Sequence, residues 1–264
     1  MVVFFIEESN KFKFFKKIDI EEDKIILNRK NEKINDRLMY NVLRILKNNN
    51  CRNIIISKQL KNNKKFLNYM YSNNIKIIQG KMLFKLLIED FINKICKALE
   101  INSKECRIAF TINYMDYNII KVIENLSKEF KMISIVTNNI SLFKDLKEKL
   151  YNESGVIISL TNNKRKALLR SNMIINVDFP EEILNKYQIY DNAIIINLEE
   201  PVSIRKKRFS GKIINDYKIL LNENSNIASK LQKDKYDKYD LKDLAELFVM
   251  KYPEETKNLI IVDF

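Results

Sequence analysis

Short apolar runs rich in isoleucine and valine recur along this chain, separated by amphipathic stretches with helical spacing. That alternation restricts the chain to α/β architectures with a parallel sheet, because each parallel step needs a crossover long enough to hold a helix. In the first part VVFFI (2–6), KIILN (24–28), NIIIS (53–57) and IKIIQ (75–79) read as strands. Helices are expected at about 33–48, with Ile34, Leu38, Val42 and Ile45 on one stripe, around 64–73, and over 81–100. The stripe of the last is Phe84, Leu87 or Ile88, Phe91, Ile95 and Leu99.

The second half repeats more regularly. RIAFTI (107–112), MISIVT (132–137), GVIISLT (155–161), MIINVDF (173–179), AIIINL (193–198) and KIINDYKIL (212–220) read as six strands. Helices are expected at about 116–130, 141–153 and 163–171, with right-handed crossovers. DKYDKYD (234–240) reads as a linker or a fraying helix start. Asp240 is placed to cap a last helix to about Met250, and LIIVDF reads as a terminal strand. The expected division is an N-terminal α/β domain at 1–80, a connecting helix at 81–100, a larger sheet domain at 101–221 and a C-terminal helix and strand at 222–264.

Composition excludes more than it suggests. The chain has no histidine, which removes Ser-His-Asp and Cys-His catalysis, His-bearing zinc sites and His general bases together. It has only three glycines, Gly80, Gly155 and Gly211, too few for a Gly-rich phosphate cradle. Cys51, Cys96 and Cys106 have no metal-ligand spacing, so no metal is expected, and their odd number argues against a disulfide framework. Cys96 falls on the apolar face of its helix, where a buried, inert thiol is the expectation. No stretch approaches the roughly 20 apolar residues of a spanning helix, so no membrane is expected. MVVFFIEESN has acid where a secretion signal has base, which points to a reducing cytoplasm.

The formal charge of +13 invites a nucleic-acid reading. Lysine, asparagine and isoleucine are all over-used, however, a pattern that the AT-rich codons of a bacterial genome produce on their own. Residues 1–100 hold 21 Lys+Arg against 11 Asp+Glu, and the rest 26 against 23, so any electrostatic footprint belongs to the first half.

SNMIINVDFP (171–180) is similar to the fourth-strand segment of the shikimate dehydrogenase and glutamyl-tRNA reductase group of NAD(P)-binding proteins. IVTNN (135–139) sits where that group places its cofactor-selecting second-strand end. Over roughly residues 75–220 the layout resembles that group. The resemblance implies a Rossmann-like, doubly wound parallel sheet with a smaller α/β N-terminal domain, and NAD or NADP as the cofactor. The chain departs from the pattern at the first strand–helix turn. There the group has glycines that let a pyrophosphate meet the helix N-terminus. Here the turn reads TINYMDY (111–117), with the bulk of Tyr114 and Met115 and the charge of Asp116. Thr137, Asn138 and Asn139 stand where an acid would bind a ribose hydroxyl. Ordinary NAD or NADP binding is therefore disfavoured, and the group's catalytic lysine, aspartate and cysteine motifs have no match.

Ligands of open parallel sheets bind outside the carboxyl ends of the strands. Those ends hold Thr111 and Asn113, Thr137 and Asn138, Thr161 and Asn162, Asn176 and Asp178, and Asn197 and Glu199. They form a candidate cofactor-binding rim, or a set of helix caps and turns. Asp178 and Glu199 are its best carboxylates. Arg205, Lys206, Lys207 and Arg208, in RKKRFSGK, are the candidate anion-binding run, or a solvated loop. KFKFFKK (11–17) interleaves aromatics with lysine, which fits base stacking or an edge strand, and Gln79-Gly80-Lys81 is a further short anion-site candidate. Three functions stay open: a non-catalytic or ligand-sensing Rossmann-like protein for a small-molecule or nucleotide ligand, a nucleic-acid-associated protein, and an oxidoreductase or transferase with an atypical nucleotide-binding mode.

Overall fold

The computed structural model describes residues 2–9, 18–28, 34–222, 227, 231 and 236–263. KFKFFKK (11–17) lies outside them. The contacts divide the chain into two units, Met1–Leu83 with Leu221–Ile260 and Phe84–Leu220 with Ile261–Phe264.

In the first unit β1 (Val3–Ser9), β2 (Ile18–Glu21), β3 (Lys24–Asn28), β4 (Asn53–Ile56) and β5 (Lys76–Ile77) form a sheet in the order β2–β3–β1–β4–β5. All pairs are parallel except β2 with β3. Side chains of a strand alternate between faces, and both faces here are apolar. Phe4, Ile6, Ile54 and Ile56 pack with Leu38, Val42 and Leu46 of α1 (Asp36–Asn48). Phe5 and Ile55 pack with Ile78, Tyr239 and Leu244. Asn35 caps α1, its Oδ1 accepting from the Leu38 amide at 2.9 Å. The buried face of that helix is Leu38, Met39, Val42, Leu43 and Leu46, which leaves Ile45 at its margin. A short α2 (Lys58–Lys61), not expected from the sequence, precedes α3 (Lys64–Ser72).

In the second unit α4 (Lys81–Ala98), whose first turn belongs to the first unit, leads to β6 (Arg107–Thr111). The chain then runs through α5 (Tyr117–Leu126), β7 (Met132–Val136), α6 (Lys144–Ser154), β8 (Ser159–Thr161), β9 (Met173–Asn176), α7 (Glu181–Leu184), β10 (Ile194–Asn197) and β11 (Lys212–Ile214). The six strands are all parallel, in the order β11–β10–β9–β6–β7–β8. That is the doubly wound Rossmann-type order, with its reversal between β6 and β9. Ala109, Ile174 and Ile195 share a core with Leu184, Tyr187 and Val202.

Two expected elements are corrected. Residues 163–171 are turns rather than a helix: Asn163 Oδ1 takes the amides of Arg165 and Lys166 at 3.0 and 3.1 Å, and Leu168 makes an isolated bridge to Ile189. KIINDYKIL is two strands. Asn215 turns its side chain to the Val202 amide and carbonyl, at 2.9 and 3.0 Å, and ends β11. The chain resumes as β12 (Lys218–Leu221), which pairs with β13 (Leu259–Asp263) after α8 (Leu241–Lys251). Gly211 is fixed by close approach, since a Cβ there would lie 2.0 Å from the Ala193 carbonyl oxygen. No helix among the described residues is long and apolar enough to cross a membrane.

α4 ends in a Schellman turn: the Ile101 amide reaches the Cys96 carbonyl at 2.8 Å, and the Glu100 amide the Lys97 carbonyl at 3.4 Å. Glu100 sits at φ 52° to make it, in the left-handed region that costs a residue with a Cβ about 1 kcal/mol. Glu100→Gly is therefore expected to raise stability by about 0.5 kcal/mol, the gain being reduced by the larger unfolded-state entropy of glycine. A urea midpoint that falls instead would show that the glutamate side chain contributes more than its backbone strain costs.

Candidate functional site

The strand register assembles a polar row at the reversal point. Thr111 pairs with Asn176 across β6 and β9, and Asn176 with Asn197 across β9 and β10. All three are buried, at 0, 1 and 1% exposure, so each polar group needs a partner inside the protein. Thr111 Oγ1 donates to Asn176 Oδ1 at 2.6 Å. Asn176 Nδ2 donates to Asn197 Oδ1 at 2.7 Å and to the Phe179 carbonyl at 2.9 Å, and the Phe179 amide donates back to Asn176 Oδ1 at 3.2 Å. Asn197 Nδ2 continues the row to the Glu200 carbonyl.

Above that row lies the turn that follows β6, the place where a Rossmann sheet meets a pyrophosphate. Two of its amides are taken. The Asn113 amide donates to both oxygens of the Asp178 carboxylate at 2.8 Å, and the Tyr114 amide to Asp178 Oδ2 at 3.0 Å. Asp116 then caps α5, its Oδ1 accepting from the Asn118 amide at 3.0 Å and the Ile119 amide at 3.4 Å. Tyr114 and Met115 stand 72 and 50% exposed, so neither is packed into the core. Two carboxylates of the chain occupy it.

A cation joins these acids. Lys85 of α4 lies 2.6 Å from Glu199 Oε1 and 3.1 Å from Asp116 Oδ2, with its side chain 16% exposed. Burial works against its charge, but the bonds to Glu199 and Asp116 outweigh it and hold the ammonium above the ordinary lysine range. Burial pushes the Asp178 carboxyl up, against the Asn113 and Tyr114 amides and the Lys85 charge, which hold it down. The group is a protonated lysine among three carboxylates, able to orient a polar ligand or hold a proton and unsuited to nucleophilic attack by the amine. No cluster of metal-ligating side chains occurs among the described residues.

The other strand ends serve their own turns. Thr137 Oγ1 accepts from the Asn139 amide at 3.0 Å, and Thr161 Oγ1 from the Asn163 amide at 3.1 Å. Asn113 ties the first two strand ends together: its Oδ1 accepts from the Asn138 amide, and its carbonyl from Asn139 Nδ2, both at 3.0 Å.

The basic run does not join the rim. Arg205 Nη2 donates to Glu181 Oε1 at 2.6 Å beside α7, and Lys206 is partly desolvated, which lowers its pKa. By Ser210, whose amide reaches the Asp191 carbonyl at 2.8 Å, the loop has arrived at the opposite end of β10. Lys207 and Arg208 are exposed along that path. At Gln79-Gly80-Lys81 the start of α4 is occupied in the same manner as the turn: Glu246 Oε2 accepts from the Met82 amide at 2.9 Å and the Leu83 amide at 3.2 Å.

Lys85 and Glu246 were not singled out in the sequence. Lys85 is one of many lysines and carried no signal. Glu246 did carry one, for Asp243 and Glu246 share the buried side of α8 with Leu244 and Val249, and acids on an apolar face need partners.

No family model and no curated protein matches the sequence. Among solved structures, the chain is similar to a shikimate 5-dehydrogenase-like protein, at 10% identity and a TM-score of 0.34 over 96% of this chain and 92% of that one. It is also similar to the ornithine carbamoyltransferase of Pyrococcus furiosus, at 9% identity and a TM-score of 0.33 over 81% and 75% of the two chains. Dipicolinate synthase A chain of Bacillus subtilis gives 8% identity and a TM-score of 0.39 over 78% and 65%. The Rossmann-like description of this chain rests on its strand order and parallel pairing.

Proposed function

We propose that this chain is a ligand-sensing Rossmann-like protein that receives a small, phosphate-free ligand at the carboxyl ends of β6, β9 and β10. The observation that carries the reading is the Asp178 carboxylate on the Asn113 and Tyr114 amides, at 2.8 and 3.0 Å. A dinucleotide would have to displace it before its own phosphate could bond there. Around the turn, Asp116, Asp178 and Glu199 outnumber Lys85, and Tyr114 and Tyr117 are exposed beside them. Acid next to exposed aromatic faces favours a ligand with positive charge. An oxidoreductase or transferase remains the second reading, supported by the raised pKa of Asp178 near Lys85, which suits a proton carrier. The nucleic-acid reading draws on the basic first half and the exposed Lys207 and Arg208, and predicts binding that falls steeply with salt.

Thermal-shift measurements with NAD, NADP, ATP and S-adenosylmethionine separate these readings. A ligand at 100 times its Kd stabilises by about 2.7 kcal/mol. No shift is expected with NAD, NADP or ATP, while S-adenosylmethionine, cationic at sulfur and phosphate-free, is the member of the set that fits. Asp178→Ala is expected to cost about 2 kcal/mol, because two amides lose a charge-assisted partner. Millimolar pyrophosphate should restore part of that loss in the variant and leave the native protein unmoved. Stabilisation of the native protein by pyrophosphate would sink the reading.

A further inference from the structure

On α8 the residues Leu244, Leu247, Phe248 and Lys251 follow the spacing i, i+3, i+4, i+7 of a single helix face, and Tyr252 follows as the helix ends. With Phe5, Asp23 and Tyr236 that face lines a cavity of about 250 Å³ within the first unit. Its four rings stand in two tilted pairs. Phe5 and Tyr236 have centroids 5.4 Å apart at 46°, and Phe248 and Tyr252 have theirs 4.9 Å apart at 39°. Phe5, 4% exposed, is the floor, and Tyr252, 41% exposed, stands at the mouth. One acid and one base share this apolar lining. The Asp23 carbonyl accepts from the Phe5 amide at 2.8 Å, which fixes the acid beside that ring. Asp23 is half-buried and Lys251 exposed, and among the described residues neither makes an ion pair, with the other or with any other side chain. Lys24 lies over the Tyr236 ring, 6.0 Å from its centroid, so a further cation in the cavity falls to Asp23.

We propose that this cavity binds a free amino acid with a large apolar side chain, aromatic or branched. Its ammonium bonds to the Asp23 carboxylate, its carboxylate to the Lys251 ammonium, and its side chain lies among the four rings. The two charges of the lining are opposite in sign, so a plain amine or a plain acid satisfies only one of them. The rings favour an apolar side chain over a polar one, because a polar group set among them would lose its water without gaining a partner. The volume sets the size, for it lies below the roughly 300–1,000 Å³ of sites that take drug-sized ligands. No residue of this cavity belongs to the turn after β6, so its ligand is independent of the one proposed for the second unit.

The test is a saturation-transfer NMR titration of the full chain with L-phenylalanine, L-leucine, L-alanine, phenethylamine and 3-phenylpropionate. The expected result is millimolar or tighter binding of L-phenylalanine and L-leucine. L-alanine lacks the side chain, phenethylamine the carboxylate and 3-phenylpropionate the ammonium, and each should bind at least tenfold more weakly than L-phenylalanine. Asp23→Asn should weaken L-phenylalanine at least tenfold and leave 3-phenylpropionate unchanged. Lys251→Met should weaken L-phenylalanine to the same degree and leave phenethylamine unchanged. If either variant fails to fold, the ligand series on the native chain decides alone. No binding of L-phenylalanine or L-leucine at millimolar concentration would overturn the proposal, as would equal affinity for L-phenylalanine and phenethylamine. Full affinity retained in both variants would place the amino acid elsewhere and overturn it too.

Discussion

Lys61→Met is expected to cost the first unit about 3–5 kcal/mol, the loss found when one member of a buried ion pair is removed and the other stays. Lys61 Nζ lies 2.6 Å from Asp243 Oδ2 and also pairs with Asp240. The Asp243 side chain is fully buried, and among the described residues neither of its oxygens accepts a well-aligned hydrogen bond. The ammonium is thus its chief compensation. Burial pushes the Asp243 carboxyl from 3.8 up to about 7, with Lys61 acting in the opposite direction. An acid whose pKa is raised by folding binds its proton more tightly in the folded state. Its contribution to stability is therefore full below about pH 4 and is lost as pH rises through about 7. Without Lys61 the carboxyl should move higher still, and the deficit of the variant should be larger at pH 8 than at pH 5. Urea midpoints at the two pH values measure it, and equal deficits would show that Asp243 does not depend on Lys61 for its charge.

Asn176→Leu is the second large effect, expected at about 3–4 kcal/mol. Leucine keeps the volume but leaves the Thr111 hydroxyl, the Asn197 carbonyl oxygen and the Phe179 amide without partners in a buried row. Each orphaned buried group costs about 1–3 kcal/mol, partly relieved by local rearrangement. Thr111→Val, which removes only a donor, should cost about 1 kcal/mol. The double variant should lose less than the sum of the two, since the bond between them is counted in both singles. Additive losses would mean that Thr111 and Asn176 act independently despite their 2.6 Å contact.

Strand and helix types were legible where packing repeats. The Ile-rich runs that became β6, β7, β9 and β10 carry their own signal, because a strand buried on both faces is apolar throughout. What local pattern could not show was side-chain competition with the backbone, as when Asn163 and Asn215 each replaced an expected regular bond. The rim positions Thr111, Asn113, Asn176 and Asp178 were legible as strand ends, yet their partnerships depend on β6 lying beside β9, some 65 residues on. The missing glycines drew attention to the turn after β6. What the sequence did not show is that Asp178, from the turn after β9, takes the Asn113 and Tyr114 amides.

The five- and six-stranded sheets end in their shortest or most polar strands. β5 has two residues, β8 and β11 three each, and β2 turns antiparallel with Glu21 exposed. An edge strand offers unpaired amides and carbonyls to any other chain, and a long apolar edge is a template for aggregation. Strands as isoleucine-rich as β4 and β10 are held inside these two sheets, away from their edges. The consequence is colloidal: the inner strands of these two sheets become templates for assembly only when partial unfolding uncovers them.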